Sequence, residues 1–188
     1  MPPARSDQAA ADFSRVALAH LDPVYTAALY LAGDPDRAAD LAQETFLRAF
    51  RFFHRFTPGT NCRAWLLTIL HNIFRNRYRA DRRERGWLDI DDPLTAAAAT
   101  RAIGAKDDPE SLILGQTLDG EVAEALKSLP EEFRSTIVLV DLQDLTYEES
   151  ARILDCPVGT VRSRLSRGRH LLQSRLYQYA ARRGVFKR

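Results

Sequence analysis

The chain contains little that could hold it together covalently or around a metal. Only two cysteines occur, Cys62 and Cys156, far apart and without CxxC spacing, so neither a disulfide framework nor a zinc motif can be read. The histidines at 20, 54, 71 and 170 never stand at i, i+4 with an acidic partner, which leaves no metal site to assign. P-loop and GxSxG patterns are missing, and the acidic cluster at 36–44 has no base that spacing would bring to it. No cofactor is implied and an enzyme is not expected. Strand-like alternation is confined to the ambiguous run Ile137-Val138-Leu139-Val140, and no internal repeat occurs. Residues 1–12 hold no apolar signal core and no later stretch approaches a membrane-spanning length, which predicts a cytoplasmic chain with no membrane insertion.

What is present favours helices. Leu and Ala are abundant, 45% of the residues are hydrophobic and 28% charged, so an all-α fold is expected. A length of 188 residues suits one ordinary domain or two small ones with thin cores. The net charge of +2 conceals an uneven distribution, because no Asp or Glu occurs from Cys156 onward while the middle of the chain is acidic.

The most informative stretch runs from Leu145 to Leu176. Thr146 followed by Glu149 fits a capping box, which predicts a helix start, and Asp155-Cys156-Pro157 predicts its end within about two turns. A second helix follows. On a wheel of 3.6 residues per turn, Val161, Leu165, Gly168, Leu172 and Leu176 share one face; Thr160, Ser163, Ser166 and Arg167 share the other, flanked by Arg162, Arg164 and Arg169. Two helices joined by a short turn, the second apolar inside and basic outside, form a helix-turn-helix able to enter the DNA major groove. Arginine can bond guanine through two atoms, and Ser or Thr can reach bases or phosphates. A merely solvated face would mix charges of both signs, so nucleic-acid binding is the stronger reading.

The string CPVGTVRSRLSRGR, preceded by LPEEFRSTIVLVDLQDLTYEESARIL, resembles region 4 of the extracytoplasmic-function sigma factors, which direct bacterial RNA polymerase to promoters. The resemblance implies that Thr160, Arg162, Ser163, Arg164, Ser166 and Arg167 read the −35 element. It also implies that this domain contacts the flap region of the polymerase.

Earlier in the chain, residues 1–12 are Pro/Ala/Ser-rich and are expected to be disordered. Apolar residues at helical intervals from Phe13 to Ala32 predict a helix kinked or divided at Pro23 and ended by Gly33. Asp34-Pro35 reads as a cap and first helical residue of a helix lasting to about Phe53. Its wheel gathers Ala38, Leu41, Ala42, Thr45, Phe46, Ala49, Phe50 and Phe53 on an apolar face, opposite Asp36, Asp40, Gln43 and Glu44, with Leu47 among the polar residues. A leucine so framed fits a docking site for a basic groove, and equally an ordinary solvated face. GDPDRAADLAQETFLRAF resembles region 2 of the same family. That likeness implies that Asp40, Gln43, Glu44 and Leu47 grip the clamp helices of the largest polymerase subunit.

FTPGTN, up to Asn61, reads as a turn, and Cys62 to Arg83 as a helix with Trp65, Leu66, Ile69, Leu70 and Ile73 inward and a polar stripe of Thr68, Asn72, Arg75, Arg79 and Arg82. Phe74 and Tyr78 interleaved with arginines suit a single-stranded nucleic-acid channel, although Trp65 reads as core. The family likeness implies that the loop and this helix capture a base flipped from the melted −10 element. By position, Phe56, Asn61, Thr68, Asn72, Arg75 and Arg79 would do so, with Phe56 as the wall and Asn72 as the reader of the base edge.

Residues 86–111 are acidic, carry an AAAAT tract between prolines, and read as a flexible linker. Helix resumes at about Leu112 to Leu126, and Ser128 with Glu131 predicts a capping box for a further helix whose Phe133, Ile137, Val140 and Leu142 close over the helix-turn-helix. The expected plan is a disordered tail (1–12), a region 2 domain (13–85), the linker, a region 4 domain (112–180) and a basic tail (181–188). The predicted function is promoter-specific initiation with core RNA polymerase and promoter DNA as partners, and the family implies an anti-sigma factor as a third. A helix-turn-helix repressor or activator with an N-terminal sensor or dimerisation domain is the competing reading, but it leaves the basic stripe at 68–82 without a task.

Overall fold

The computed structural model describes residues 5–84 and 118–182, and no strand occurs among them. The linker at 86–111, residues 112–117 of the expected helix and the tail beyond Arg182 lie outside the described residues, as do residues 1–4. The chain divides into two compact units, Met1–Gly86 and Trp87–Arg188.

In the first unit, helix α1 covers Arg5–Ala17, a 3-10 turn covers Leu18–His20, and α2 covers Leu21–Ala32. Residues 5–12 are therefore helical where composition predicts disorder, and Phe13 near the end of α1 is buried with Ala17. Pro23 does not kink a helix. It falls in the first turn of α2, where its missing N–H has no intrahelical acceptor to lose. Gly33 ends α2 in the left-handed region at φ 65°, its N–H donating to the Leu29 carbonyl at 2.8 Å. Asp34 then caps α3 (Pro35–Arg51), its Oδ1 accepting from the Arg37 N–H at 2.8 Å. After a 3-10 turn at Phe53–Arg55, α4 runs from Cys62 to Glu84.

Helices α2, α3 and α4 pack on one another, and α1 adds to α3 and α4. Leu31, Leu41, Leu66, Leu67, Leu70 and Ile73 are fully enclosed between them. Each such side chain removed from water contributes roughly 1.5–3 kcal/mol, the main favourable term for so small a unit. Phe74 is buried too, which places it in this core and not in a nucleic-acid channel. Trp65 and Ile69 are only half-buried.

The second unit comprises α5 (Leu118–Lys127), α6 (Glu131–Ile137), α7 (Tyr147–Leu154) and α8 (Val158–Arg182). The expected capping box at Ser128 does not form. Ser128 Oγ donates back to the Ala125 carbonyl at the end of α5, and Pro130 starts α6 without a side-chain cap. A π-helical turn, Val138–Leu142, extends α6 and changes its register, so Val138 and Leu139 are buried and Val140 and Leu142 are half-exposed.

Candidate nucleic-acid and polymerase interfaces

The helix-turn-helix forms as its residues dictate. Thr146 Oγ1 accepts from the Glu149 N–H at 3.1 Å while Glu149 Oε2 accepts from the Thr146 N–H at 3.0 Å, completing the capping box of α7. Asp155 takes a left-handed conformation (φ 52°) that stops the helix, and the Pro157 carbonyl accepts from the Thr160 N–H at 2.9 Å as α8 begins. Val161, Leu165 and Gly168 are buried against the rest of the unit, and Leu172 and Leu176 are half-buried. Ser163, Ser166 and Arg167 are exposed, and Thr160 and Arg164 are half-exposed beside them.

The arginines of α8 are not equivalent. The Arg162 guanidinium lies 5.5 Å from the Tyr147 ring centroid, a cation–π contact that anchors it to the start of α7. Arg169 donates two hydrogen bonds to Asp141, which hold its guanidinium in the charged form and raise its pKa above the ordinary value. Arg162, Ser166 and Arg169 line one side of an open hollow of about 530 Å³, with Tyr147 also on its wall. Neither Tyr147 nor Asp141 was legible as a functional residue. Each is distant in sequence from the arginine it holds, and nothing local marks the pairing.

In the first unit, the Phe56 ring stacks on Phe53 at 5.8 Å and meets Trp65 at 5.2 Å with the rings tilted by 45°, at the N-terminal end of α4. Asn61 Oδ1 accepts from the Ala64 N–H at 3.1 Å, so this side chain caps α4. Thr68 Oγ1 likewise donates to its own helix, at the Ala64 carbonyl. Asn72 and Arg75 are half-buried and Arg79 is exposed, all on the stripe read from the periodicity. Asn72 stands seven residues beyond Trp65 on α4, about 10 Å along the axis. Phe56, in the turn before α4, packs against the Trp65 level of the helix. Tyr78 rests on Phe74 at 6.0 Å, and the Arg82 guanidinium lies 6.0 Å from the Tyr78 centroid.

On α3, Asp40 and Gln43 are exposed and Leu47 is 62% exposed. Phe50, expected on the inner face, is 50% exposed, with the Phe13 ring edge-on at 5.2 Å. Glu44 differs from its neighbours. Its carboxylate pairs with Arg48 at 2.5 Å and with Arg77 of α4, so its charge is neutralised by the protein itself.

Comparison with known proteins matches this arrangement. Residues 16–84 match the family model for sigma-70 region 2 and residues 119–172 that for sigma-70 region 4. The ECF RNA polymerase sigma factor EcfG of Rhodopseudomonas palustris is 42% identical over 153 residues, covering 80% of this chain and 77% of that protein. The chain belongs to the extracytoplasmic-function sigma factors. The sigma factor SigE of Mycolicibacterium smegmatis is 36% identical over 95% of this chain and 67% of its own length. Among solved structures, the sigma factor RpoE of Bartonella quintana, in complex with the anti-sigma factor NepR, is 29% identical with a TM-score of 0.67, covering 88% of this chain and 97% of that one. The fold also recurs in CnrH, solved with the cytosolic domain of CnrY, at 24% identity and a TM-score of 0.63 over 92% and 95% of the two chains. This chain is thus an RNA polymerase sigma factor. The repressor reading falls, because the residues it reserved for a sensor are a sigma region 2.

Proposed function

We propose that this sigma factor docks on core RNA polymerase through the outer face of α3, captures the melted −10 strand with α4 and the loop before it, and reads the −35 duplex with α8. The observation that carries the proposal is the exposure of Ser163, Ser166 and Arg167 on a helix that has no acidic residue anywhere along it. Such a face attracts phosphate without competition from the protein's own carboxylates and presents groups able to bond base edges. Arg162, held by Tyr147, serves the flank of the same surface.

Docking rests on Asp40, Gln43 and Leu47. Glu44 acts beside them as a brace between α3 and α4, because both of its partners are already in place. Clamp helices of the largest polymerase subunit are the partner for α3, and the flap region is the partner for the second unit. The complex of the Bartonella quintana relative with its anti-sigma factor supports a partner of that kind here. No helix among the described residues is long and apolar enough to cross a membrane, and the factor works in the cytoplasm, where core polymerase and promoter DNA are. It contributes binding and strand capture; bond-making belongs to the polymerase.

Transcription with purified core polymerase tests the proposal. Adding the sigma factor to core enzyme should give initiation at one defined position on a supercoiled cognate promoter, and no such product should form without it. Failure to bind core would remove the docking assignment. Binding without initiation on any promoter library would remove the assignment to −10 and −35.

A further inference from the structure

We infer that Phe52 and Arg55 form a second stacking platform for single-stranded DNA, separate from the assigned −10 residues and resting on the −10 reading given above. Phe52 closes α3 and Phe53 opens the 3-10 turn after it, and the two rings have different surroundings. Phe53 lies 5.3 Å from Phe13 and 5.8 Å from Phe56 within the aromatic cluster at the head of α4. Phe52 is 40% exposed, and the Arg55 guanidinium lies 5.1 Å from its centroid. The backbone here is fixed. The Phe52 N–H donates to the Arg48 carbonyl at 3.0 Å, and the Arg55 N–H donates to the Phe52 carbonyl at 2.9 Å.

A lone exposed phenylalanine is unremarkable on any surface. The charge around this one gives it a direction. From Thr45 to Ala80 the chain has no Asp or Glu but seven arginines, the longest acid-free span in the sequence, longer even than the basic segment from Cys156 onward. Arg48 and Arg77 are paired with Glu44, whereas Arg51 and Arg55 are exposed beside Phe52. A partner that is basic, as α3's acidic face would require, gains nothing from this patch. An unpaired base with its phosphate does, since the ring offers a face for stacking and the guanidinium offers both a plane and a charge. Phe52 and Arg55 stand at the two ends of the turn that leads into Phe56, so a strand held at Phe56 has a neighbouring nucleotide to place on Phe52.

The test uses holoenzyme and a fluorescent single-stranded oligonucleotide spanning the −10 element, together with a set in which each nucleotide in turn is abasic. Phe52→Ala should weaken binding of the intact oligonucleotide by roughly 5- to 150-fold, the loss of one base–aromatic stack. Phe52→Trp should restore it. One abasic position should bind parent and Phe52→Ala alike, because the base that would use the ring is gone. Arg55→Ala should weaken binding and flatten its salt dependence. Equal binding of parent and Phe52→Ala to every oligonucleotide would overturn the inference while leaving the −10 reading intact, and so would a loss of the same size at every abasic position. A parent holoenzyme with no preference for the −10 strand over a scrambled one would overturn the −10 reading and this inference with it.

Discussion

Arg169 reaches from α8 to Asp141 at the end of the π-helical turn, with Nε 2.9 Å from Oδ2 and Nη2 2.5 Å from Oδ1. A guanidinium bound through two atoms to a carboxylate is spent on the fold and is not offered to DNA. Arg167, two residues earlier, is exposed on the outward face. This difference separates arginines that composition alone treats as one basic stripe.

Arg167→Ala should therefore lower promoter use by an amount that depends on the −35 bases, each lost base contact being worth about 1–3 kcal/mol. Arg169→Ala should leave the ranking of −35 variants unchanged. Its cost to stability should stay below about 1 kcal/mol, because the side chain is 55% exposed and solvent screens the pair. Initiation rates on a panel of −35 substitutions, with urea unfolding of each variant, measure both.

Gly168 carries a second prediction about the same helix. A Cβ added there would meet Ile137 Cδ1 at 3.0 Å and Phe133 Cβ at 3.2 Å, tighter than ordinary van der Waals contact. Alanine would gain about 1 kcal/mol of helix propensity against that crowding. Gly168→Val should tip the balance, destabilising the unit by about 1–3 kcal/mol through overpacking against α6. Thermal unfolding followed by circular dichroism, with loss of −35 binding at the same temperature, is the check.

The sequence carried most of the fold because its punctuation is local. Gly33, Asp34-Pro35, the Thr146/Glu149 capping box and Asp155-Cys156-Pro157 each fix a helix end through atoms a few residues apart, and periodicity placed Val161, Leu165 and Gly168 inside. Periodicity is silent where the deciding neighbour is distant in sequence. Phe50 falls on the inner arc of α3 but is half-exposed, its ring meeting α1, a helix that begins at Arg5 where composition indicated disorder. Phe74 fits a basic, aromatic stripe by spacing and is enclosed by the helices packed on it. Asn61, which the family likeness assigns to a base, also caps α4 through the Ala64 N–H, a local task that the predicted helix start at Cys62 allows. Glu44 and Arg77 are 33 residues apart, so no local pattern joins them.

Leu47→Arg should weaken core polymerase binding at least tenfold without changing helical content, because a charge placed on the most exposed apolar side chain of α3 meets the partner and not the protein core. Asp40→Arg should act in the same direction and more strongly at low salt. Glu44→Gln should weaken core binding less and lower stability more, since it loosens the tie to Arg48 and Arg77. Pull-down titration with core enzyme and unfolding curves distinguish the three.

The two cysteines should react at different rates. Cys62 is buried, and desolvation raises its thiol pKa, so little thiolate forms near neutrality. Iodoacetamide at pH 8 should therefore modify half-exposed Cys156 well before Cys62, and unfolding in urea should bring the two rates together. The same shift makes the first unit lose stability as pH rises above the unfolded thiol value near about 8.5, because the unfolded chain ionises first. Cys62→Ala should remove that part of the pH dependence.

The −10 reading divides into tasks that two substitutions on α4 can separate. Asn72 has an amide able to bond a base edge, whereas Arg75, one turn further on, offers charge to a phosphate. Both are half-buried, and Arg75 Nε is enclosed. Asn72→Ala should impair open-complex formation on a duplex promoter and alter the preference among −10 bases, with −35 preference unchanged. Arg75→Ala should weaken binding to all −10 sequences alike, and the remaining affinity should fall less steeply with added salt, since a phosphate contact carries charge and no sequence information. Permanganate reactivity of promoter thymines reports melting, and binding of holoenzyme to single-stranded oligonucleotides varied one base at a time reports preference. Phe56 packs against Trp65, two turns before Asn72 on α4, so the ring wall and the base edge are tested separately. If Asn72→Ala melts the promoter normally and keeps the parent's base preference, Asn72 is outside the capture pocket and the reading of −10 passes to Phe56 and the loop that carries it.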